Sequence, residues 1–219
     1  MEKIQKNDFV EIEFTGRSQG KIFDTTHPEE AHEVGLEKLD VKPLIISIGN
    51  DMLLKGLDEQ LEGRELNKEY VIPLSPEKAF GKRNPQLLKT YSLNSFRKNK
   101  IDPYPGMTLQ LDNSPAKVLS VTGGRVTVDF NNPLAGKDVE YTIKANKKII
   151  DDKNKINALQ DYFFRQRFEF EIEGKKVVFK DKVVKLFLDV LGEKFKQMTG
   201  LQFEAKVEDK KEQSTPKNK

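Results

Sequence analysis

Apolar side chains in this sequence come in short blocks of alternating period, and that brevity points to several small cores rather than one thick one. Val10, Ile12 and Phe14 alternate with Glu11, Glu13 and Thr15, the period of a strand with one buried face. Gly16 and Gly20 read as a turn, and Ile22-Phe23-Asp24 as a short second strand. Residues 27–42 are polar and fit a loop or a short surface helix. Pro43 opens a strand from Leu44 to Ile48, closed by Gly49. Leu53, Leu54, Leu57 and Leu61 lie at helical spacing, and Gly63 stands where a glycine ends a helix. Tyr70, Ile72 and Leu74 make another strand, which Pro73 assigns to an edge or a bulge. Ala79-Phe80-Gly81 closes this portion in a loop.

The texture changes at Asn84. Pro85, Pro103, Pro105 and Pro115 punctuate short strands, with Met107, Leu109 and Leu111 on one face and Val126, Val128 and Phe130 on another. Gly123-Gly124 between two strand patterns signals a hairpin. Residues 85–137 therefore read as a small all-β unit. Val139, Tyr141 and Ile143 alternate again but have no partner in that unit, so this strand is expected to return to the first sheet. Beyond it, a helix is expected over about 153–167, with Asp152 as its cap and Ile156, Leu159 and Phe163 on one face. A hairpin follows over 168–179. A second helix runs over about 183–198, capped by Asp181 and stopped by Gly200, with a stripe of Val184, Phe187, Leu188, Leu191, Phe195 and Met198. A last strand is expected over 201–207. Residues 208–219 are polar and charged and are expected to be disordered.

Composition removes many chemistries. There is no Cys in the 219 residues, so disulfides, thiolate metal sites and Cys nucleophiles are absent. Basic and acidic residues number 38 and 35, a net charge of +3, too balanced to argue for nucleic acid. No apolar run approaches the roughly 20 residues of a membrane span. The polar N-terminal stretch does not read as a signal peptide, so a cytoplasmic location is expected.

Several motifs fail on inspection. His27 and His32 are five apart, whereas a helical zinc pair needs four, and a solvated loop is the simpler reading. Gly136-Lys137 ends like a phosphate loop, but Asn131 stands at the required glycine and Asp138 at the required hydroxyl residue. No Gly-x-Ser-x-Gly elbow exists, and the acidic residues are scattered. No metal or cofactor is expected. What remains distinctive is apolar and aromatic.

The order of motifs narrows the field. Val10-Glu-Ile-Glu-Phe-Thr-Gly16, Gly20-Lys-Ile-Phe-Asp-Thr-Thr26, Pro43-Leu-Ile-Ile-Ser-Ile-Gly49, Leu53-Leu-Lys-Gly-Leu-Asp-Glu-Gln-Leu-Glu-Gly63 and Pro76-Glu-Lys-Ala-Phe-Gly81 follow one another. Together they resemble an FKBP-type peptidyl-prolyl cis-trans isomerase. Pro105-Gly-Met107 and the run from Gly123 to Lys137 resemble the insert-in-flap domain of SlyD-type members, which interrupts the fold after the Ala-Phe-Gly motif. The remainder is similar, by position more than by motif, to the extra C-terminal domain of long archaeal members. The resemblance implies an α+β architecture: an antiparallel sheet wrapped on a short helix, a small all-β insert, and a C-terminal α/β domain. The implied boundaries are 1–84 plus 138–150 for the isomerase, 85–137 for the insert and 151–207 for the C-terminal domain.

The same resemblance supplies site residues. Phe23, Asp24, Leu54, Phe80 and Tyr141 match catalytic positions, with Asp24 as the pocket carboxylate and the Leu54 backbone N–H as donor to a substrate carbonyl. Phe14, Leu44, Leu53 and Leu57 match the wall that grips proline. Without the motif order, Phe14, Leu44 and Leu57 would read as ordinary core residues. The sequence departs from the family where Phe14 and Phe80 replace commonly found tyrosines, where Leu57 replaces a frequent Trp, and where Asn132 replaces a His. Expected partners are unfolded or partly folded proline-containing polypeptides, with neither nucleic acid nor membrane, and a homodimer through the C-terminal domain is a further possibility. The competing reading is a non-enzymatic holdase on the same scaffold, for which the two missing hydroxyls would be signs of decay.

Overall fold

The computed structural model of the protein describes residues 2–36 and 41–206. The expected disorder of 208–219 lies outside them. The chain forms two compact units, one of Met1–Thr15, Asp24–Tyr70 and Thr142–Lys219, the other of Gly16–Phe23 and Val71–Tyr141.

One sheet has five strands, β1 (Phe9–Ser18), β2 (Lys21–Thr25), β3 (Leu44–Ser47), β4 (Glu69–Leu74) and β9 (Val139–Lys148). Its order is β2-β1-β9-β4, with β3 also paired to β1. The sequence after the insert thus returns to the first sheet, and Pro73 does sit on an edge strand, where a missing N–H costs no ladder bond. Gly16 is no turn residue. It lies inside β1, and Gln19 and Gly20 make the turn with positive φ.

In the first unit β3 pairs antiparallel with β1, setting Val10 against Ile46 and Ile12 against Leu44. Between β2 and β3 lies a short helix, α1 (Pro28–Glu33). Helix α2 (Lys55–Leu61) buries Leu57 and Leu61, and Gly63 follows it with φ +82°. Asp58 is buried there, and its carboxylate accepts from the backbone N–H of Gly49 at 2.7 Å and of Asp51 at 3.3 Å. One side chain on the helix therefore closes the turn that precedes it.

The C-terminal part of this unit holds α4 (Asp152–Leu159), β10 (Phe170–Glu173), β11 (Lys176–Phe179), α5 (Lys182–Thr199) and β12 (Gln202–Ala205). β10 and β11 form the expected hairpin, and β12 pairs parallel to β11 after crossing through α5. Three expectations change. Asp151, not Asp152, caps α4, accepting from Asn154 N–H at 2.8 Å. The helix ends at Leu159 in a π turn over Gln160–Phe164 and stops at Arg165, which is left-handed. The last strand is shorter than 201–207. Asp181 and Gly200 close α5 as the sequence implied. Phe164 stacks on Phe187 at 4.6 Å, and Phe163 and Phe203 meet Phe195 at 5.2 and 5.3 Å, which concentrates this part's aromatic rings in one core.

In the second unit, β5 (Leu88–Ser92), β6 (Thr108–Leu111), β7 (Ser114–Thr122) and β8 (Arg125–Asp129) make an antiparallel sheet of order β5-β8-β7-β6. Gly123 and Gly124 both have positive φ, as a two-residue hairpin turn requires. The insert is not wholly β. Helix α3 (Leu93–Lys98) delivers Phe96 into a core with Ala116, Val118, Val126 and Val128. The long spacing of apolar residues over 93–101 concealed this single turn-and-a-half. Met107, Leu109, Leu111 and Phe130 pack on the same core.

Candidate active site

Three rings that lie far apart in sequence meet in the second unit. Phe23 comes from β2, Phe80 from the loop after β4, and Tyr141 from β9. The Phe23 ring meets Phe80 edge to face at 5.6 Å between centroids and 83° between planes. It meets Tyr141 at 5.7 Å and 86°. Edge-to-face pairs of this kind contribute about 0.5–1.5 kcal/mol each beyond area burial. Phe23 and Phe80 stay half-buried, whereas Tyr141 is buried.

Gly16 makes the cluster possible. A Cβ there would stand 2.8 Å from the tip of the Phe23 ring and 2.9 Å from the Tyr141 ring, closer than side chains tolerate. Its role is space rather than backbone freedom, and the reading of Gly16 as a turn missed it. The only signal available in the sequence was a glycine inside an alternating pattern, which often marks a close approach.

The Phe80 loop is held by its own backbone. Pro76–Lys78 form a 3₁₀ turn, and the carbonyl of Pro76 accepts from Ala79 N–H at 3.1 Å and Gly81 N–H at 2.7 Å. The Gly81 carbonyl then accepts from Gly136 N–H at 2.8 Å, so the segment after the insert fastens the loop that carries Phe80.

The first unit carries the other predicted residues. Asp24 has an exposed side chain, but partial desolvation raises its carboxyl above the ordinary aspartate value, against the pull of a hydrogen bond from the Thr25 backbone N–H. Thr25 is anchored in turn: its hydroxyl lies 3.1 Å from that of Thr15 and donates to Glu30 at 2.8 Å. The Thr15 hydroxyl donates to the same Glu30 oxygen. Thr26 hydroxyl accepts from Phe14 N–H at 2.7 Å. Glu30 on α1 thus ties β1 to the strand end bearing Asp24, a role the sequence reading did not assign.

Leu54 sits at the N-cap of α2, where its carbonyl accepts from Leu57 N–H at 2.8 Å and Asp58 N–H at 3.0 Å. Among the described residues nothing accepts from the Leu54 N–H. Leu53 and Leu54 are half-buried and Leu44 is exposed on β3. Phe14 is buried, and Leu57 is only 2% exposed, so both have the environment of core residues. Among the described residues no group of three or more His, Asp or Glu side chains gathers to hold a metal. A cavity of about 320 Å³ exists in the C-terminal part, lined by Lys153, Asn157, Phe168, Phe170 and Val178 among others, and it shares no residue with this set.

Comparison with known proteins gives the family of the chain. Residues 1–93 match the family model of the FKBP-type peptidyl-prolyl cis-trans isomerases, and residues 92–134 match that of the FKBP26 IF domain. The chain is 33% identical over 143 residues to the short-type peptidyl-prolyl cis-trans isomerase of Methanocaldococcus jannaschii, covering 64% of this chain and 91% of that one. This chain belongs to the FKBP-type peptidyl-prolyl cis-trans isomerases. The FKBP-type 16 kDa peptidyl-prolyl cis-trans isomerase of Escherichia coli is 30% identical over 148 residues, covering 65% of this chain and 92% of that relative. SlyD of Aeromonas hydrophila is 28% identical over 145 residues, covering 65% and 63%. The membership is SlyD-like, an FKBP-type isomerase with an IF insert, and the α+β architecture agrees with it. The matches account for about two thirds of the chain. No helix among the described residues is long and apolar enough to cross a membrane.

Proposed function

We propose that this prolyl isomerase accelerates the folding of proline-containing polypeptides, taking hold of unfolded chains with its insert and turning the X-Pro bond at the Phe23–Phe80–Tyr141 cluster. The gathering of three rings around the bare backbone of Gly16 is the observation that carries the reading. Two of those rings stay half-exposed, which apolar groups do at a binding surface and not in a core.

The chemistry needs no proton-transfer base. Rotation about an amide C–N bond costs ~18–20 kcal/mol because resonance makes it partly double. A catalyst must favour the twisted amide over both planar forms. Twisting weakens resonance and lessens the charge on the carbonyl oxygen, so water stabilises the planar forms more. Phenyl rings withhold that solvation. An acceleration of about 10³ requires only about 4 kcal/mol. By resemblance to the family, the Leu54 N–H is assigned to hold a substrate carbonyl, Asp24 an electrostatic role, and Phe14, Leu44, Leu53 and Leu57 the apolar wall that grips proline.

The insert occupies 85–137 in this assignment. Its β5 and β6 are edge strands, and Leu88, Tyr104 and Leu119 are exposed on it, a suitable surface for strand addition by an extended chain. Tethering would raise the local concentration of prolines at the rings. The C-terminal part offers a second contact: Leu186 and Val190 on α5 are 70% and 81% exposed, four residues apart, and a homodimer would cover them. A monomer in sedimentation at micromolar concentration would exclude that pairing. Nucleic acid and membrane are not assigned, and the work is placed in the cytoplasm.

A proline-limited refolding assay tests the main reading. Wild type should accelerate the slow phase, and Phe23→Ala should lose at least tenfold of that acceleration, about 1.4 kcal/mol of transition-state stabilisation. If wild type gives no acceleration yet still suppresses aggregation, the holdase reading, which the absent hydroxyls at Phe14 and Phe80 favour, replaces it.

A further inference from the structure

The chain leaves the isomerase part for the insert and comes back through two adjacent segments, 81–86 and 129–136, both in the second unit. One side chain stitches them together. Asn131 accepts from Asn84 N–H at 2.8 Å through its amide oxygen and donates to the Asn84 carbonyl at 3.0 Å through its amide nitrogen. That is the reciprocal pair of bonds that two paired strand residues would exchange, made here by one side chain. The same amide nitrogen donates to Asp129 Oδ1 at 2.7 Å, and the Asn131 backbone N–H donates to that oxygen at 2.9 Å. The other oxygen of Asp129 is paired with Arg83 on the outgoing segment. Asn84 continues the stitch by accepting from Gln86 N–H at 2.9 Å, and Phe130 N–H donates to the Leu87 carbonyl at 3.0 Å.

We propose that Asn131, seated on Asp129, is a specificity-determining positioning residue: it fixes the crossing between insert and ring cluster, and so favours unfolded proteins over short peptides as substrates. The proposal deepens the reading above and rests on capture by the insert. A short peptide needs only the rings. An unfolded chain engages both sites at once, and the gain from tethering depends on how narrowly the second site is held. The outgoing segment begins one residue after Phe80, and Gly136 N–H donates to the Gly81 carbonyl at 2.8 Å. The stitch therefore sits on the backbone that carries one of the three rings. Asn is the residue type for the task because it presents an acceptor and two donors in one plane on a short stem. Asp at this position would lose both donors and face the carboxylate of Asp129.

The test compares two probes on the full-length chain. One is a reduced, carboxymethylated globular protein whose refolding is limited by a prolyl bond, and the other a proline-containing tetrapeptide. In Asn131→Ala the KM for the unfolded protein should rise about tenfold, the order expected when a tethering advantage is relaxed. Its kcat and the peptide kcat/KM should stay within about twofold of wild type. Asp129→Asn, which keeps the size of the side chain, should give the same split more weakly and serves if Asn131→Ala does not fold. Equal losses on both probes would overturn the proposal, since Asn131 would then merely support the rings, and unchanged kinetics on both would overturn it too. A third chain with residues 85–137 replaced by a short loop separates the two readings. If that chain keeps full activity on the unfolded protein, capture by the insert is wrong and the proposal falls with it. If it loses that activity while Asn131→Ala does not, only the stitch is wrong.

Discussion

The ring cluster and the insert's core use the same kinds of side chain to opposite ends. In the insert, Phe96 is 4% exposed and Val118, Val126 and Val128 are fully buried, so each apolar atom is spent on stability. Around Gly16, Phe23 and Phe80 remain half-exposed, and their rings touch edge to face instead of being enclosed. A ring left partly in water forgoes part of the stabilisation that burial would bring, about 25 cal/mol for each Å² left uncovered. The contrast teaches that an apolar residue's duty is read from what it leaves uncovered, not from its identity.

Phe96→Ala breaks the comparison most forcefully. It should cost the insert about 3–5 kcal/mol, the range for truncating a buried Phe, enough to melt a small domain. Calorimetry should show a lowered or missing transition, and acceleration on an unfolded protein should collapse while peptide turnover persists. Gly16→Ala comes next. The added methyl must displace two rings, at a cost of about 1–3 kcal/mol for overpacking, and peptide turnover should fall several-fold with the insert's unfolding unchanged. A Gly16→Ala chain with native turnover would show that the rings need not meet.

Asp24→Asn sharpens the contrast by separating activity from stability. Desolvation raises this carboxyl, so ionisation at neutral pH works against the folded state, and a group with a raised acid value stabilises least once charged. Removing the charge should leave Tm equal or higher while turnover drops. A lowered Tm would mean that the carboxylate holds the fold together.

The smallest effect concerns pH. Asp129 feels desolvation that would raise its carboxyl, but hydrogen bonds from Asn131 and the Arg83 guanidinium prevail and hold it below the ordinary aspartate value of 3.8. A lowered value means stability that is complete above 3.8 and lost as pH falls through the folded-state value. The stability gap between wild type and Asp129→Asn, followed by circular dichroism, should therefore be flat from neutral pH down to about 4 and narrow below that. A gap that closes near neutrality would point to a different group.

Much of the fold was legible because strand alternation and glycine stops are local signals. β1, the β7–β8 hairpin, α5 and the return of β9 all followed from them. What was not legible was decided at longer range. Helix α3 carries one buried ring on six residues, too few for a period to show. The π turn after α4 depends on Gln160, buried and accepting from Phe168 N–H at 2.6 Å, a bond eight residues long that no propensity encodes. At the candidate site, motif order singled out Phe23, Asp24, Phe80 and Tyr141 but assigned no part to Gly16, Glu30 or Asn131, whose parts consist of meeting other segments.

By itself the sequence determined most of the strands and the long helix α5, the family, and the absence of cysteine chemistry, because each depends on residue type and spacing along one chain. The tertiary structure alone decided that rings 23 and 141 close over residue 16 and that 131 bridges to 84. Distance along a folded chain is not distance along the sequence, and a glycine's missing Cβ acquires meaning only from the side chains that come to occupy its place.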